Sequence, residues 1–258
     1  MIIDVTTQKM VVISDLHLGN PFSSAKKRLI EFLYWAAENN YDVCINGDGL
    51  EIAQVSFRRL AEDVPEVFRA VKAISRAGNR VFYIVGNHDI VLENFLEDWG
   101  PLILAPFLNV QCGSQRIRIE HGHLYDPFFV KRPELYEFMT WLGGFPLMIS
   151  PRAYKIWMMF EELQSKIRHL FKGKSEVEGL PGEKPDFIIA ADEICARGFD
   201  SIIFGHTHHA GKMDLPQGTY FNSGSWMIAP HFIEINSQQV TIKTYCKEVT
   251  QIRSMPVP

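Results

Sequence analysis

The feature that most constrains this chain is a short apolar run that stops abruptly on metal-competent side chains: Val11-Val12-Ile13, then Ser14-Asp15-Leu16-His17-Leu18-Gly19. An apolar run of this length, bounded by polar and turn residues, reads as a buried strand. Residues two apart in extended backbone point to one side, so Asp15 and His17 can reach a common point. The pattern recurs. Residues 42–46 end in Gly47-Asp48-Gly49, and residues 80–85 in Gly86-Asn87-His88-Asp89. Residues 116–120 end in His121-Gly122-His123, and residues 201–204 in Gly205-His206-Thr207-His208-His209. One Asp-x-His pair is common by chance; five such strand ends in succession are not. In open α/β sheets, the space beyond the carboxyl ends of the strands is where ligands bind.

The segments between these strands read as helices. Residues 22–40 place Leu29, Ile30, Phe32, Leu33 and Ala36 on one face. Residues 57–77 are helical in pattern, with a break or restart expected near Pro65 and a stop at Gly78-Asn79. Residues 186–197 form a further helix that stops at Gly198. Residues 107–111 pair with 116–120 across Cys112-Gly113-Ser114, and later strands are expected at 219–221, 231–235 and 240–245. Strands alternating with helices predict an α/β layered fold. Residues 125–184 break the alternation and read as a helical cap insertion within one domain spanning residues 1–258. Ala153, Ile156, Trp157, Phe160, Leu163, Ile167 and Leu170 form its apolar stripe, which Tyr154, Met158 and Met159 widen.

A net charge of −4 argues against a partner recognised by a strongly basic surface, so nucleic acid is disfavoured. The four cysteines form no Cys-x-x-Cys pair, which fits buried thiols in a reducing cytosol. The sequence predicts no signal peptide, and no uninterrupted apolar run in it is long enough to span a bilayer. The expectation is a cytoplasmic protein, with room for peripheral association at the inner membrane face.

Imidazole nitrogens with carboxylate and amide oxygens suit Mn, Fe, Zn, Co or Ni better than Ca or Mg alone. Asp-x-His, Gly-Asp-x-x-Glu, Gly-Asn-His-Asp, His-Gly-His and Gly-His-Thr-His, in that order, resemble the calcineurin-like metallophosphoesterases. The resemblance runs from about Val11 to His209. It implies a four-layer αββα sandwich of two mixed sheets flanked by helices, and a binuclear metal centre with Mn²⁺ as the first choice of ion. It assigns Asp15, His17 and His208 to one metal, and Asn87, His121 and His206 to the other. Asp48 bridges the two. It further implies a hydroxide shared by the metals that attacks phosphorus in line, with developing charge neutralised by the ions.

His88 directly follows a ligand and titrates in a useful range, so it is the candidate general acid. The resemblance assigns Glu51, three residues after Asp48, to orienting it. Asp89 is expected to tie down the loop, His123 and His209 to support ligands, and His169 to face solvent. Asn222-Ser223-Gly224-Ser225-Trp226 is expected to pack near the metals without ligating them.

The insertion bears on substrate. Its place after His123 resembles the UDP-2,3-diacylglucosamine pyrophosphatase subgroup, in which a cap covers an acyl-chain pocket. The wide stripe of residues 141–171 suits a lipid-like substrate or, equally, packing of a helical hairpin on the core. Arg152, Lys155, Lys131 and Arg132 are candidates to hold phosphates. That subgroup typically carries Arg where this chain has His88; the histidine is the form of the broader family. The expected partner is a small-molecule phosphoester or pyrophosphate, lipid-linked or nucleotide-linked. A phosphodiesterase or nuclease on the same metal core, and a non-enzymatic protein-binding scaffold, are the alternatives.

Overall fold

The apolar runs become central strands buried on both faces. The computed structural model describes residues 3–20, 25–136, 138, 139, 180 and 182–246. Strands β1 (Ile3–Thr6), β2 (Lys9–Ile13), β3 (Asp42–Asn46), β4 (Val81–Ile84), β5 (Ile103–Ala105) and β6 (Leu108–Cys112) lead into β7 (Gln115–Ile119) and β8 (Ser201–Phe204). The chain then adds β9 (Gly211–Leu215), β10 (Gly218–Asn222), β11 (His231–Asn236) and β12 (Val240–Thr244). One sheet has the order β1-β6-β7-β8-β10-β9 and the other β12-β11-β2-β3-β4-β5. Each mixes parallel and antiparallel pairs, with β2, β3, β4 and β5 parallel in one and β7, β8 and β10 parallel in the other.

Alternation along a strand sends successive side chains to opposite layers. Val11 and Ile13, Val43 and Ile45, and Val81 and Tyr83 enter a core shared with Leu29, Phe32 and Leu33 of helix α1 (Ala25–Glu38) and Val67, Ala70 and Ile74 of helix α2 (Phe57–Arg76). Their neighbours Met10, Val12, Cys44, Phe82 and Ile84 enter a second core, where Ile117, Ile119, Ile203 and Phe221 of the other sheet meet them. A third core joins Ile202, Phe204 and Tyr220 to Phe187, Ala191 and Ile194. The last three lie on an 11-residue helix, Pro185–Cys195, here called α4. Three cores between four layers give the αββα sandwich. Each large side chain fully buried this way contributes about 1.5–3 kcal/mol.

Pro65 does not break α2; the helix runs on through it. A proline removes one intrahelical hydrogen bond, but Leu60 before it and Val67, Ala70, Val71 and Ile74 after it all bury one continuous face. A short helix, α3 (Pro127–Lys131), follows β7, with the Asp126 side chain accepting from the Phe128 N–H at 3.0 Å as its N-cap. The apolar stripe of residues 141–171, with Arg152, Lys155 and His169, lies outside the described residues. Among the described residues, no helix is long and apolar enough to cross a membrane. Cys44, Cys112 and Cys195 are buried free thiols, and Cys246 is exposed.

Candidate metal centre

Parallel strands end at one edge, so their terminal residues become neighbours. The Asp15 N–H donates to Gly47 O at 3.1 Å and the His17 N–H to Asp48 O at 2.9 Å, which locks the loop after β2 to the loop after β3. The loops after β7 and β8 are tied in the same way, by Gly205 N–H to His121 O at 3.0 Å. The two edges meet at Asn46, whose Nδ2 donates to Glu120 O at 2.8 Å and whose backbone O lies 2.8 Å from His121 Nδ1.

Turning each side chain inward requires unusual backbone. Among the described residues, six that are not glycine have positive φ: Asp15, His17, Asn40, Asp48, His206 and His208. Five of these six are candidate ligands. An L-residue held in this region costs about 1–3 kcal/mol and persists only when surroundings over-determine it. Gly47 is also left-handed, at φ 78°, and a Cβ there would stand 2.7 Å from His121 Cβ, so only glycine leaves room for that ring.

All seven candidate ligands converge. Donor atoms of Asp15, His17 and His208 lie within 4.8 Å of one another, as do those of Asp48, His121 and His206. Asn87 Oδ1 lies 3.2 Å from His121 Nε2 and 2.8 Å from His206 Nδ1. Asp48 sits between the groups: its Oδ1 accepts from the His88 N–H at 2.8 Å and its Oδ2 lies 3.3 Å from His121 Nε2. His17 Nε2 is buried with no hydrogen-bond partner, 4.0 Å from Asp15 Oδ1. A buried imidazole nitrogen left unpaired is costly. A cation at the focus of Asp15, His17 and His208 would satisfy it, so the donor set fits a divalent ion of the Mn, Zn or Fe kind.

Glu51 ties two histidines together. Its Oε2 lies 2.7 Å from His17 Nδ1 and its Oε1 2.6 Å from His88 Nδ1. Burial alone would lift the Glu51 carboxyl, but the two imidazoles hold it down to about 2. Burial opposes charge on His88, yet the Glu51 and Asp48 carboxylates outweigh it and push its pKa up to about 10. His121 is raised to about 9, burial being outweighed by Asp48. His123 moves the other way, to about 3, because burial and the neighbouring His121 and His206 all disfavour its charge. Asp89 accepts from Gly86 N–H at 2.6 Å, from Gly49 N–H at 3.0 Å and from the Tyr83 hydroxyl, which fastens two ligand loops together.

The loop after β10 braces the site from behind. Ser14 Oγ is 2.7 Å from Ser223 Oγ, Ser225 Oγ donates to Asp15 O at 3.2 Å, and Asn222 Nδ2 donates to Gly205 O at 3.0 Å. Lys131 and Arg132 are exposed at the end of α3. Two residues that the sequence reading did not single out also touch ligands. Asp126 Oδ2 is 3.2 Å from His206 Nε2, and the Tyr136 hydroxyl accepts from Asn87 Nδ2 at 3.0 Å.

A family model for calcineurin-like phosphoesterases matches residues 9–210, from β2 to just past the last two histidines of the site. The chain belongs to this family. It hydrolyses phosphoester bonds. The chain is also similar to a UDP-2,3-diacylglucosamine hydrolase from Pseudomonas savastanoi pv. phaseolicola, at 23% identity over 216 residues, covering 81% of this chain and 83% of that protein. Among solved structures it is similar to an archaeal phosphodiesterase, with 14% identity, a TM-score of 0.46, and coverage of 92% and 99% of the two chains. It is similar as well to an E. coli phosphoesterase, with 16% identity, a TM-score of 0.45, and coverage of 96% and 98%.

Proposed function

We propose that this chain is a two-metal hydrolase acting on a nucleotide-linked or lipid-linked diphosphate of the UDP-2,3-diacylglucosamine kind. The observation that carries the two-metal reading is the convergence of seven donors from five strand ends, with His17 Nε2 buried and unpaired among them. Asp15, His17 and His208 would hold one ion, Asn87, His121 and His206 the other, and Asp48 would serve both. When bound there, divalent ions would supply an ionised water as nucleophile and would neutralise charge on the phosphoryl oxygens. The substrate class is supported by the name of the similar Pseudomonas protein.

The chain's own residues do the rest. The new P–O bond forms from water, and one P–O bond to the leaving group breaks. The leaving oxygen needs a proton. His88 is the donor: its Nδ1 is engaged by Glu51, which leaves Nε2 as the donating nitrogen, and the Glu51 and Asp48 carboxylates favour its protonated form. Its side chain is 15% exposed, enough to meet a substrate entering over the metals. A positioned acid of this kind contributes about 10²–10⁴ in rate.

The test is a panel of UDP-diacylglucosamine, nucleoside diphosphate sugars, cyclic nucleotides, single-stranded DNA and bis(p-nitrophenyl) phosphate, assayed with Mn²⁺ and after chelation. Highest kcat/KM on the UDP-linked lipid supports the proposal. Preference for cyclic nucleotides or DNA overturns the substrate class. Metal-replete protein inert on the whole panel overturns the hydrolase reading.

A further inference from the structure

We infer that the base of the inserted segment holds the second metal's ligands in place, through Asp126 and Tyr136, and leaves the first metal's ligands alone. The inference rests on the two-metal reading above.

Two ligands of the second site need outside help to present the right atom. Asn87 has an amide whose oxygen and nitrogen are nearly interchangeable in shape, and only the oxygen can ligate. The Tyr136 hydroxyl takes the Nδ2 side at 3.0 Å, which aims Oδ1 at the space beside His121 and His206. The Tyr136 ring is itself wedged against Phe128 and Phe129, at 5.7 and 5.1 Å between ring centroids. His206 has two ring nitrogens, and only one faces that space. Nδ1 lies 2.8 Å from Asn87 Oδ1, while Nε2 lies 3.2 Å from Asp126 Oδ2. A carboxylate accepting from Nε2–H fixes the tautomer that leaves Nδ1 with a lone pair, and it raises that nitrogen's basicity.

Asp126 is well placed for this work. It is 5% exposed, and Lys184 Nζ reaches the same Oδ2 at 2.8 Å. Asp126 and Lys184 bracket the insertion, 58 residues apart in sequence, so their ion pair closes its base directly behind His206. The first site is built differently. Its His17 is oriented by Glu51 from the loop after β3, and His208 Nε2 faces Asp15 Oδ1 at 2.9 Å. Asp126 and Tyr136 hydrogen-bond to His206 and Asn87 of the second site, and neither is hydrogen-bonded to Asp15, His17 or His208.

The experiment is a Zn²⁺ titration of metal-stripped full-length protein against a chromophoric chelator, for wild type, Asp126→Asn and Tyr136→Phe, with apo-protein melting in parallel. Asparagine caps a helix as well as aspartate, so α3 keeps its N-cap in Asp126→Asn. Tyr136→Phe removes only the hydroxyl. The expected result is two ions bound by wild type, with the second bound about 10–100-fold more weakly in Asp126→Asn and by a smaller factor in Tyr136→Phe. The first ion's affinity stays unchanged in both. A purely structural role for these residues would lower the melting temperature and leave both affinities alone, and that result overturns the inference. Equal weakening of both ions overturns it as well. Wild type that binds no zinc would instead sink the two-metal reading on which the inference rests.

Discussion

Glu51→Gln tests the acid assignment most sharply. The wild-type carboxylate is 1% exposed and accepts from two imidazoles, at 2.7 Å to His17 and 2.6 Å to His88. An amide has the same shape but one acceptor oxygen and one donor nitrogen. It can serve one imidazole as before and must present N–H to the other. An imidazole meeting N–H at Nδ1 moves its own proton to Nε2. For His17 that blocks the nitrogen aimed at Asp15 and His208, so metal binding favours giving the oxygen to His17. His88 then becomes neutral, because it loses the carboxylate that favoured its protonated form. A hydrogen bond to a charged group is worth about 1.5–3 kcal/mol, and a general acid about 10²–10⁴ in rate. We therefore expect kcat to fall by about 10²–10³, or about 2.7–4 kcal/mol in barrier, on an alkyl phosphodiester with a poor leaving group. On a p-nitrophenyl ester, whose leaving oxygen needs little protonation, the fall should be under about tenfold. The assay pairs both substrates at saturating Mn²⁺ with metal analysis of the same sample. Wild-type kcat on the poor leaving group, with two metals bound, would refute the assignment of His88 and Glu51.

Asp48→Ala removes the carboxylate proposed to serve both metals and should abolish turnover and at least one bound metal, read by elemental analysis. Gly86→Ala would place a Cβ 2.5 Å from the Asp48 backbone nitrogen and 2.9 Å from its Cγ, so Asp48 must shift. A displacement near 1 Å at a positioned group costs about 10² in rate, and metal content should fall while circular dichroism stays native. Metal binding should also reshape the pH–stability profile. His88 and His121 have raised pKa values, about 10 and 9, so their pairing stabilises metal-free protein fully below the unfolded value near 6.5 and is lost as pH rises through those values. Glu51, depressed to about 2, stabilises above its unfolded value near 4.5 and loses that contribution as pH falls toward 2. A ligating His121 must give up its proton, so metal affinity rises with pH over the same alkaline range. The melting-temperature gap between Mn²⁺-loaded and stripped protein should therefore widen from pH 6 to pH 9; a gap that narrows would contradict these shifts.

How much could be read in the sequence follows from burial. Strands β2, β3, β4 and β8 lie inside the sheets with both faces covered, so each is a nearly unbroken apolar run ending in its candidate ligands. The three strands the sequence did not reveal, β1, β5 and β9, all lie at sheet edges. Their sequences, Ile-Asp-Val-Thr, Ile-Leu-Ala and Gly-Lys-Met-Asp-Leu, are short or carry charge, because an edge buries less and imposes less pattern. The αL backbone at Asp48 leaves no trace in residue type, since aspartate there is dictated by chemistry. Asp126 and Tyr136 were equally silent. Asp126-Pro127 reads as the start of a helix, and Tyr136 as one aromatic among many. Their significance lies in a meeting with His206 and Asn87 that only the folded chain arranges.

The left-handed backbone at Asp15, His17, Asp48, His206 and His208 sets local geometry against side-chain chemistry. Glycine would accept that backbone without strain at each of the five positions. It would also give up the bonds from His17 to Glu51, from Asp48 to the His88 N–H and from His208 to Asp15. The two costs oppose each other inside a single residue. A glycine scan of these five positions therefore reads strain and pairing together, and a glycine variant that melts higher than wild type marks a position where strain outweighs the bond.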